Sequence, residues 1–134
     1  MPDRHFTVDE AQLLLDQVIR PLAERMVAIR TEAVPLEARW RSIVLAIGSN
    51  GGSLDREEAT DLRAALERAQ AEVEELLNEI IEHGVQVKDV DTGLLDFPTT
   101  MDGEEALLCW RVGEGRIEFW HTIDGGFAGR TPLE

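Results

Sequence analysis

Apolar residues recur at intervals of three or four along two long stretches of the chain, and this spacing constrains the fold more than any other feature. The first stretch runs from Ala11 to Ile47 and the second from Ala59 to Ile80. Such spacing places the apolar side chains on one face of a helix. The sequence therefore predicts two long amphipathic helices.

Local signals locate the first helix and its irregularities. Thr7 and Glu10 have the spacing of a capping box, so a helix is predicted to begin near Val8. Pro21 and Pro35 fall inside the apolar pattern, and each removes a backbone hydrogen bond. Because the pattern keeps its phase across both prolines, we predict kinks or short breaks rather than separate helices.

The second helix is predicted from a turn and two end signals. The turn is "GSNGGS", residues 48–53, and Asp55 with Glu58 forms a second capping box. The helix is predicted to run to His83 and to stop at Gly84. Two such helices joined by a short loop are expected to form a long antiparallel, coiled-coil-like hairpin.

The two helices differ in length, which leaves part of the first one uncovered. With the loop at residues 48–53, the first helix extends about a dozen residues past the end of the second, roughly 18 Å at 1.5 Å per residue. This overhang, "VDEAQLLLDQVI", is apolar on more than one side. We expect another part of the chain to cover it.

Residues 85–134 show alternation and turn signals instead of helical spacing. They predict a three- or four-stranded antiparallel sheet, packed on the N-terminal part of the first helix. The predicted fold class is thus α+β, in a single domain over residues 1–134, with the hairpin at 7–84 and the sheet at 85–134.

The last two predicted strands, "EALLCWRV" and "RIEFWHTI", are joined by "GEG". A tight hairpin there places Cys109 opposite Trp120 and Leu108 opposite His121. Cys109 and His121 then lie on opposite faces. We expect the face of Ile117 and Phe119 to pack on the helices, with His121 among apolar neighbours and Trp120 facing outward or into a dimer contact.

Composition narrows the classes of function. With 27 acidic and 13 basic residues the net charge is −14, which repels nucleic-acid phosphates and anionic membrane surfaces. Cys109 is the one cysteine of the chain, so no internal disulfide can form. No membrane-spanning segment or signal peptide is visible. We expect a cytoplasmic protein that binds neither nucleic acid nor membranes.

Several strings of the sequence carry a family resemblance. "FTVDEAQLLL", "GVQVKDVDTGLLDFP", "LCWRVGE", "IEFWH" and "GFAGRTPL" resemble the bacterial family catalogued as domain of unknown function 2203. The resemblance spans nearly the whole chain, and the C-terminal strings are its specific part. It implies no particular activity and assigns no site residues.

Aromatic, cationic and acidic residues concentrate in the C-terminal part of the chain. A cleft between the first helix and the sheet, lined by such groups, would suit an anionic or carbonyl substrate. The predicted ligand-binding residues are Asp96, Trp110, Arg111, Trp120, His121, Asp124 and Arg130.

Each of these signals has a structural alternative. The segment "DGGFAGR" either binds an anion through Arg130 or turns the chain back over the sheet. Cys109 is either a nucleophile beside His121 or a small buried side chain. Paired zinc-ligand spacings such as CxxC do not occur, so we expect no metal and no cofactor, with His121 and Asp124 as the residues that a metal would use.

Two functional interpretations follow. The first is a non-enzymatic, homodimeric interaction or adaptor module, because Val27, Val34 and Val44 form a second apolar stripe that a two-fold four-helix bundle would bury. Its acidic second helix would face a protein partner with a basic surface. The alternative is a small-molecule (anion or metal) binding protein or enzyme using the cleft. The sequence leaves open whether the protein is an enzyme.

Overall fold

A computed structural model describes residues 4–47 and 55–133 of the chain. The turn predicted at residues 48–53 lies outside the described residues. Within the described ranges the protein is α+β, with a long helix, a second helix and an antiparallel sheet.

The first helix begins where the sequence predicts. The Thr7 hydroxyl accepts from the Glu10 amide at 3.1 Å, and the Glu10 carboxylate accepts from the Thr7 amide at 2.9 Å. Both halves of the capping box are therefore formed, and α1 starts at Val8.

The first helix has three parts: α1 (Val8–Leu14), a π-helical turn (Leu15–Ile19) and α2 (Arg20–Ile47). The wide π-turn stands directly before Pro21, whose ring would clash with the carbonyl of residue 17 in a regular α-helix. The chain thus stays helical through this proline by widening one turn, and α2 continues through Pro35.

The second helix, α3, spans Arg56–Glu82. The Asp55 carboxylate accepts from the Glu58 amide at 3.0 Å, which confirms the predicted start. At the other end His83 is the C-cap residue, and Gly84, which follows it, has the positive φ of +91° that is typical of a residue ending a helix.

Ion pairs connect the two helices along their length. Arg25 pairs with Glu72 at 3.0 Å, and Arg39 pairs with Glu58. The arginine later in α2 pairs with the glutamate earlier in α3, so the two helices run in opposite directions. Burial on α3 is sparse, with Val73 and Ile80 as its buried residues.

Within residues 4–47 and 55–133 the sheet has five strands, not the predicted three or four. They are β1 (Gln86–Asp89), β2 (Leu94–Met101), β3 (Glu104–Arg111), β4 (Phe119–Thr122) and β5 (Thr131–Pro132). All neighbours are antiparallel and follow chain order. β5 has only two residues, one of them a proline, so no alternation could reveal it.

The predicted tight hairpin between β3 and β4 is wrong. Residues 112–118 form a longer connection, in which the Trp110 indole donates to the Glu114 carbonyl at 3.1 Å. The first helix holds this loop too: Gln12 accepts from the Ile117 amide at 2.9 Å, and Arg20 donates to the Gly115 carbonyl at 2.8 Å. Tertiary contacts therefore set the loop, and they shift the strands by one residue.

A one-residue shift turns every side chain of a strand to the other face. Cys109 pairs with Phe119, and Leu108 pairs with Trp120. Trp120 therefore packs against the core instead of facing outward. His121 lies on the opposite face from the one we predicted.

The two faces of the sheet have different surroundings. The inner face belongs to one apolar cluster with the N-terminal part of the first helix, which contributes Ala11, Leu15 and Ile19. Its sheet members include Leu95, Phe97, Leu108 and Trp110, all fully buried. The outer face carries the alternate residues, beginning with Asp96 and Cys109.

The described residues contain no helix that is both long and apolar enough to cross a bilayer.

Candidate functional site on the outer face of the sheet

Three ionisable side chains from three adjacent strands meet on the outer face. Asp96 of β2 stands directly across from Cys109 of β3, and His121 of β4 is paired with Leu107, two residues before Cys109. Their donor atoms all lie within 4.8 Å of one another. We call Asp96, Cys109 and His121 the outer-face cluster.

The outer-face cluster is almost completely shielded from solvent. The exposed fractions of Asp96, Cys109 and His121 are 1%, 1% and 2%. A charge buried to this degree costs several kcal/mol unless it is paired and hydrogen-bonded. The interactions of these side chains with one another must therefore offset that cost.

Hydrogen bonds fix the orientation of the His121 ring. Its Nδ1 lies 2.7 Å from the Thr122 carbonyl oxygen, and its Nε2 lies 3.0 Å from Asp96 Oδ1. A carbonyl oxygen can only accept, so Nδ1 carries a hydrogen. A hydrogen bond between Nε2 and Oδ1 then needs a hydrogen either on the ring, as in an imidazolium, or on a protonated Asp96 carboxyl group, because without one two acceptors face each other.

The Cys109 thiol is held in its neutral form. Burial raises its pKa to about 11, and the negative charge of Asp96 acts in the same direction. The nearby Arg130 guanidinium opposes this shift without cancelling it. With no bound cation, Cys109 is a thiol and not a nucleophilic thiolate at neutral pH.

An ion pair lies beside the cluster. Arg130 donates to both carboxylate oxygens of Glu114, at 2.8 and 2.7 Å, and its guanidinium carbon lies 4.1 Å and 4.6 Å from the ring centres of Phe119 and Phe127. Its Nη2 also lies 3.4 Å from the Cys109 carbonyl oxygen. The guanidinium is thus clamped next to the cluster.

One nitrogen of this guanidinium has no acceptor. Arg130 Nε is buried and makes no hydrogen bond within the part of the chain that the structure describes. Buried donors are normally satisfied by protein or by ordered water, so a water or a ligand atom beside Nε would complete the hydrogen bonding of this side chain.

The Glu114 carboxylate is stabilised in its charged form. Burial raises its pKa, but hydrogen bonds from the Arg130 side chain and the Arg111 backbone amide outweigh that effect. The net result is a pKa below the usual glutamate value. The hydrogen bonds that Arg130 donates to Glu114 in turn raise the pKa of Arg130.

A surface depression of about 730 Å³ adjoins the outer-face cluster. Its wall includes Pro98, Leu107 and Ile123. In the sequence, each of these three residues is two positions away from a residue of the cluster. Leu107 is 3% exposed, lines this depression and is paired with His121 between β3 and β4. The depression brings solvent within one side chain of the cluster.

The structure divides the predicted ligand-binding residues between the two faces. Asp96, His121 and Arg130 come together on the outer face, and Arg111 lies beside them with its guanidinium carbon 5.0 Å from the centre of the Phe127 ring. Trp110 and Trp120 belong to the inner face. Asp124 lies in an exposed turn.

Two residues of the site were outside the predicted set. The predicted hairpin puts Cys109 on the face away from His121, and the structure shows this prediction to be wrong. Glu114 lies in the string "GEG", which predicts only a turn. A signal for Cys109 existed, because the two-residue turn at Asp102 and Gly103 fixes the β2–β3 pairing and with it Asp96 opposite Cys109.

Comparison with known proteins gives the family of the chain. Residues 4–133 match the family described as "Uncharacterized conserved protein (DUF2203)". The chain therefore belongs to this family. The comparison with curated proteins gave no match, and neither did the comparison with solved structures.

Proposed function

We propose that the protein binds a small oxyanion or carboxylate on the outer face of its sheet, with Arg130 as the recognising group. The unpaired, buried Arg130 Nε is the observation that carries this proposal. Arginine presents several N–H groups in a fixed fork, which suits planar anions. An acceptor from a bound molecule would supply the bond that the chain does not.

The surroundings of Arg130 favour a binding role. Two aromatic rings hold the guanidinium in place, so little conformational entropy is lost when a ligand binds. The side chain is 12% exposed, which limits screening by water. Glu114 balances its charge in the absence of ligand, and a stronger acceptor would compete with that carboxylate.

A thermal-shift titration with inorganic phosphate and with oxalate tests this function. The melting temperature of the wild-type chain is expected to rise with anion concentration, because a ligand that binds only the folded state stabilises it. Arg130→Lys keeps the charge but loses the fork and should remove the specific part of the rise. Arg63→Lys, at an exposed surface pair, is the matched control and should behave as wild type.

Glu114→Gln sharpens the same test. Removing the competing carboxylate should increase the rise per unit of phosphate, although the variant starts from a lower melting temperature. Salts also stabilise proteins non-specifically, but that effect is shared by all the variants. Equal shifts in wild type, Arg130→Lys and Glu114→Gln would rule out the proposed anion site.

Exposed apolar residues favour a second function, association of two chains through the helices. Val34, Leu45 and Ile47 of α2 are 52%, 76% and 62% exposed. A two-fold partner making a four-helix bundle would cover them, and the acidic α3 would remain for a basic protein partner. Sedimentation at micromolar concentration tests this: we expect a dimer that Leu45→Glu dissociates, and a compact wild-type monomer would contradict it.

A further inference from the structure

We propose that Asp96, Cys109 and His121 form a binding site for a divalent transition-metal ion of the zinc class. This site goes beyond the anion function and does not depend on it. Among the residues that the structure describes, these three have potential metal-ligand atoms that lie close to one another.

The chemistry of the three donors fits this class of ion. They offer one sulfur, one imidazole nitrogen and one carboxylate oxygen, which are the three ligand types that zinc takes in proteins. Carboxylate and water ligands suit magnesium and calcium, whereas a thiolate selects softer ions. The presence of Cys109 therefore favours zinc and similar transition metals over magnesium and calcium.

The spacing of the donors fits as well. Two ligands about 2.0–2.2 Å from a tetrahedral ion lie roughly 3.4 Å from each other. Nε2 of His121 and Oδ1 of Asp96 are 3.0 Å apart, and the three donor atoms lie within 4.8 Å of one another. Small side-chain movements would thus suffice to reach coordination distances.

The bond from His121 Nδ1 to the Thr122 carbonyl prepares the ring for a metal. Histidines that bind metals commonly donate their other ring N–H to a carbonyl or carboxylate, which fixes the tautomer. Here that bond is 2.7 Å long and leaves Nε2 turned toward Asp96. A neutral ring and a carboxylate would then present two acceptors to each other, an arrangement that a cation between them would stabilise.

An ion pair of imidazolium and carboxylate is the competing explanation of the short contact. It accounts for His121 and Asp96, and it leaves Cys109 as a neutral thiol whose S–H faces the Asp96 carboxylate. A bound metal uses all three groups and balances their charge, since an aspartate and a thiolate together neutralise a divalent ion.

The three donors come from neighbouring strands of one sheet, so the backbone holds them together before any metal binds. Three protein ligands leave one position of a tetrahedral ion free. Sites of this type keep a water or a substrate in that position, whereas structural zinc sites have four protein ligands. The ligand set therefore leaves one position for a further ligand such as a water molecule.

Refolding the full chain with cobalt tests the proposal directly. Protein unfolded with chelator and refolded with Co²⁺ avoids the barrier of entering a buried site. We expect one Co²⁺ per chain and a near-ultraviolet charge-transfer band from thiolate to cobalt. Because this band needs a sulfur ligand and Cys109 is the one cysteine, its appearance in the wild type identifies the ligand without any variant.

Variants assign the other two ligands. Asp96→Asn and His121→Gln should each weaken Co²⁺ binding at least tenfold, and Cys109→Ser should abolish the band. Asp102→Asn is the matched control, since Asp102 is an exposed carboxylate in a turn at φ +53°, which asparagine tolerates. Circular dichroism of each metal-free variant shows whether it has folded.

Two results would overturn the metal site: no cobalt bound after refolding, or cobalt bound without the thiolate band. In either case the phosphate response of wild type and Arg130→Lys remains measurable in metal-free protein. Failure of the metal site is therefore distinguishable from failure of the anion site.

Discussion

Leu107 lines the depression and is also paired with His121 of the outer-face cluster. Truncating it should admit solvent and reagents to Cys109. In metal-free wild type, alkylation of Cys109 is expected to be slow, because the thiol is 1% exposed and its pKa is about 11.

Leu107→Ala is expected to lower the free energy of unfolding by about 2–4 kcal/mol and to accelerate alkylation of native Cys109. Mass spectrometry after timed iodoacetamide treatment measures the rate. The control is Leu108→Ala, which truncates the next residue on the inner face at a similar cost in stability. Equal acceleration in both variants would show that alkylation proceeds through unfolding and not through an opened outer face.

The Glu114–Arg130 pair predicts a pH dependence of stability with a definite sign. The folded pKa of Glu114 lies below its usual value. The pair therefore stabilises the fold fully above the unfolded glutamate pKa of about 4.3, and this contribution is lost as pH falls through the lowered folded value.

Glu114→Gln should cost about 2 kcal/mol at neutral pH, because it leaves the guanidinium 12% exposed without its anion. The cost should shrink below about pH 4. Urea unfolding of wild type and variant between pH 3 and 7, a range of about four units, measures the difference. A difference that stays constant over this range would contradict the assigned ion pair.

Among the elements, the turn before β2 depends on one glycine. Gly93 has φ +69°, and a Cβ built there would lie 2.4 Å from Val112 Cγ2 and 2.9 Å from Val27 Cγ2. Gly103, in the turn between β2 and β3, has φ +82° and no atom within 4 Å of such a Cβ. A side chain at either glycine would be strained by the positive φ, but only at Gly93 would it also clash with neighbouring atoms.

Gly103→Ala should therefore cost about 1 kcal/mol from the positive φ alone, whereas Gly93→Ala should cost about 2–4 kcal/mol because it adds a clash. Thermal or urea unfolding measures both. Equal losses would show that the packing of this turn against α2 is not as tight as the structure has it.

The sequence predicted the elements well where local chemistry determines them. Side-chain caps at Thr7 and Asp55, and the helix stop at Gly84, appear where the spacing indicates. The paired signals Asp102 and Gly103 likewise mark a two-residue turn with positive φ at both positions. Each of these depends on residues within a few positions of one another.

The connection between β3 and β4 could not be predicted in the same way. Its length and path are set by Gln12 and Arg20, about a hundred residues earlier in the chain. Local spacing favoured a tight turn, which moves the register by one residue. That single residue decides whether Cys109 and His121 share a face, so the site was harder to predict than the fold.

For the whole molecule, we propose that the helices and the sheet unfold together. One apolar cluster contains residues of the first helix, of α3 and of the sheet, including Leu15, Ile80 and Phe97. We expect a single transition in a Trp40→Phe variant, in which far-ultraviolet circular dichroism, dominated by the helices, coincides with the fluorescence of the remaining Trp110 and Trp120 of the sheet. Separate midpoints for the two signals would contradict a shared core.

Charge also acts on the scale of the whole molecule. The net charge of −14 would repel an anionic ligand at a distance, so the proposed anion site depends on the local field of Arg130. The same net charge attracts cations and favours approach of a divalent metal to the outer face. Association rates for Co²⁺ and phosphate should therefore respond to added salt in opposite directions.

A crystal structure of the full chain refolded with zinc, with anomalous data at the zinc edge, tests the central claim most directly. The register of β3 and β4 should bring the three donors to one ion, at about 2.3 Å from sulfur and about 2.0–2.2 Å from nitrogen and oxygen. We expect one anomalous peak between Asp96, Cys109 and His121. Cys109 paired with Trp120, on the face away from His121, would contradict the account.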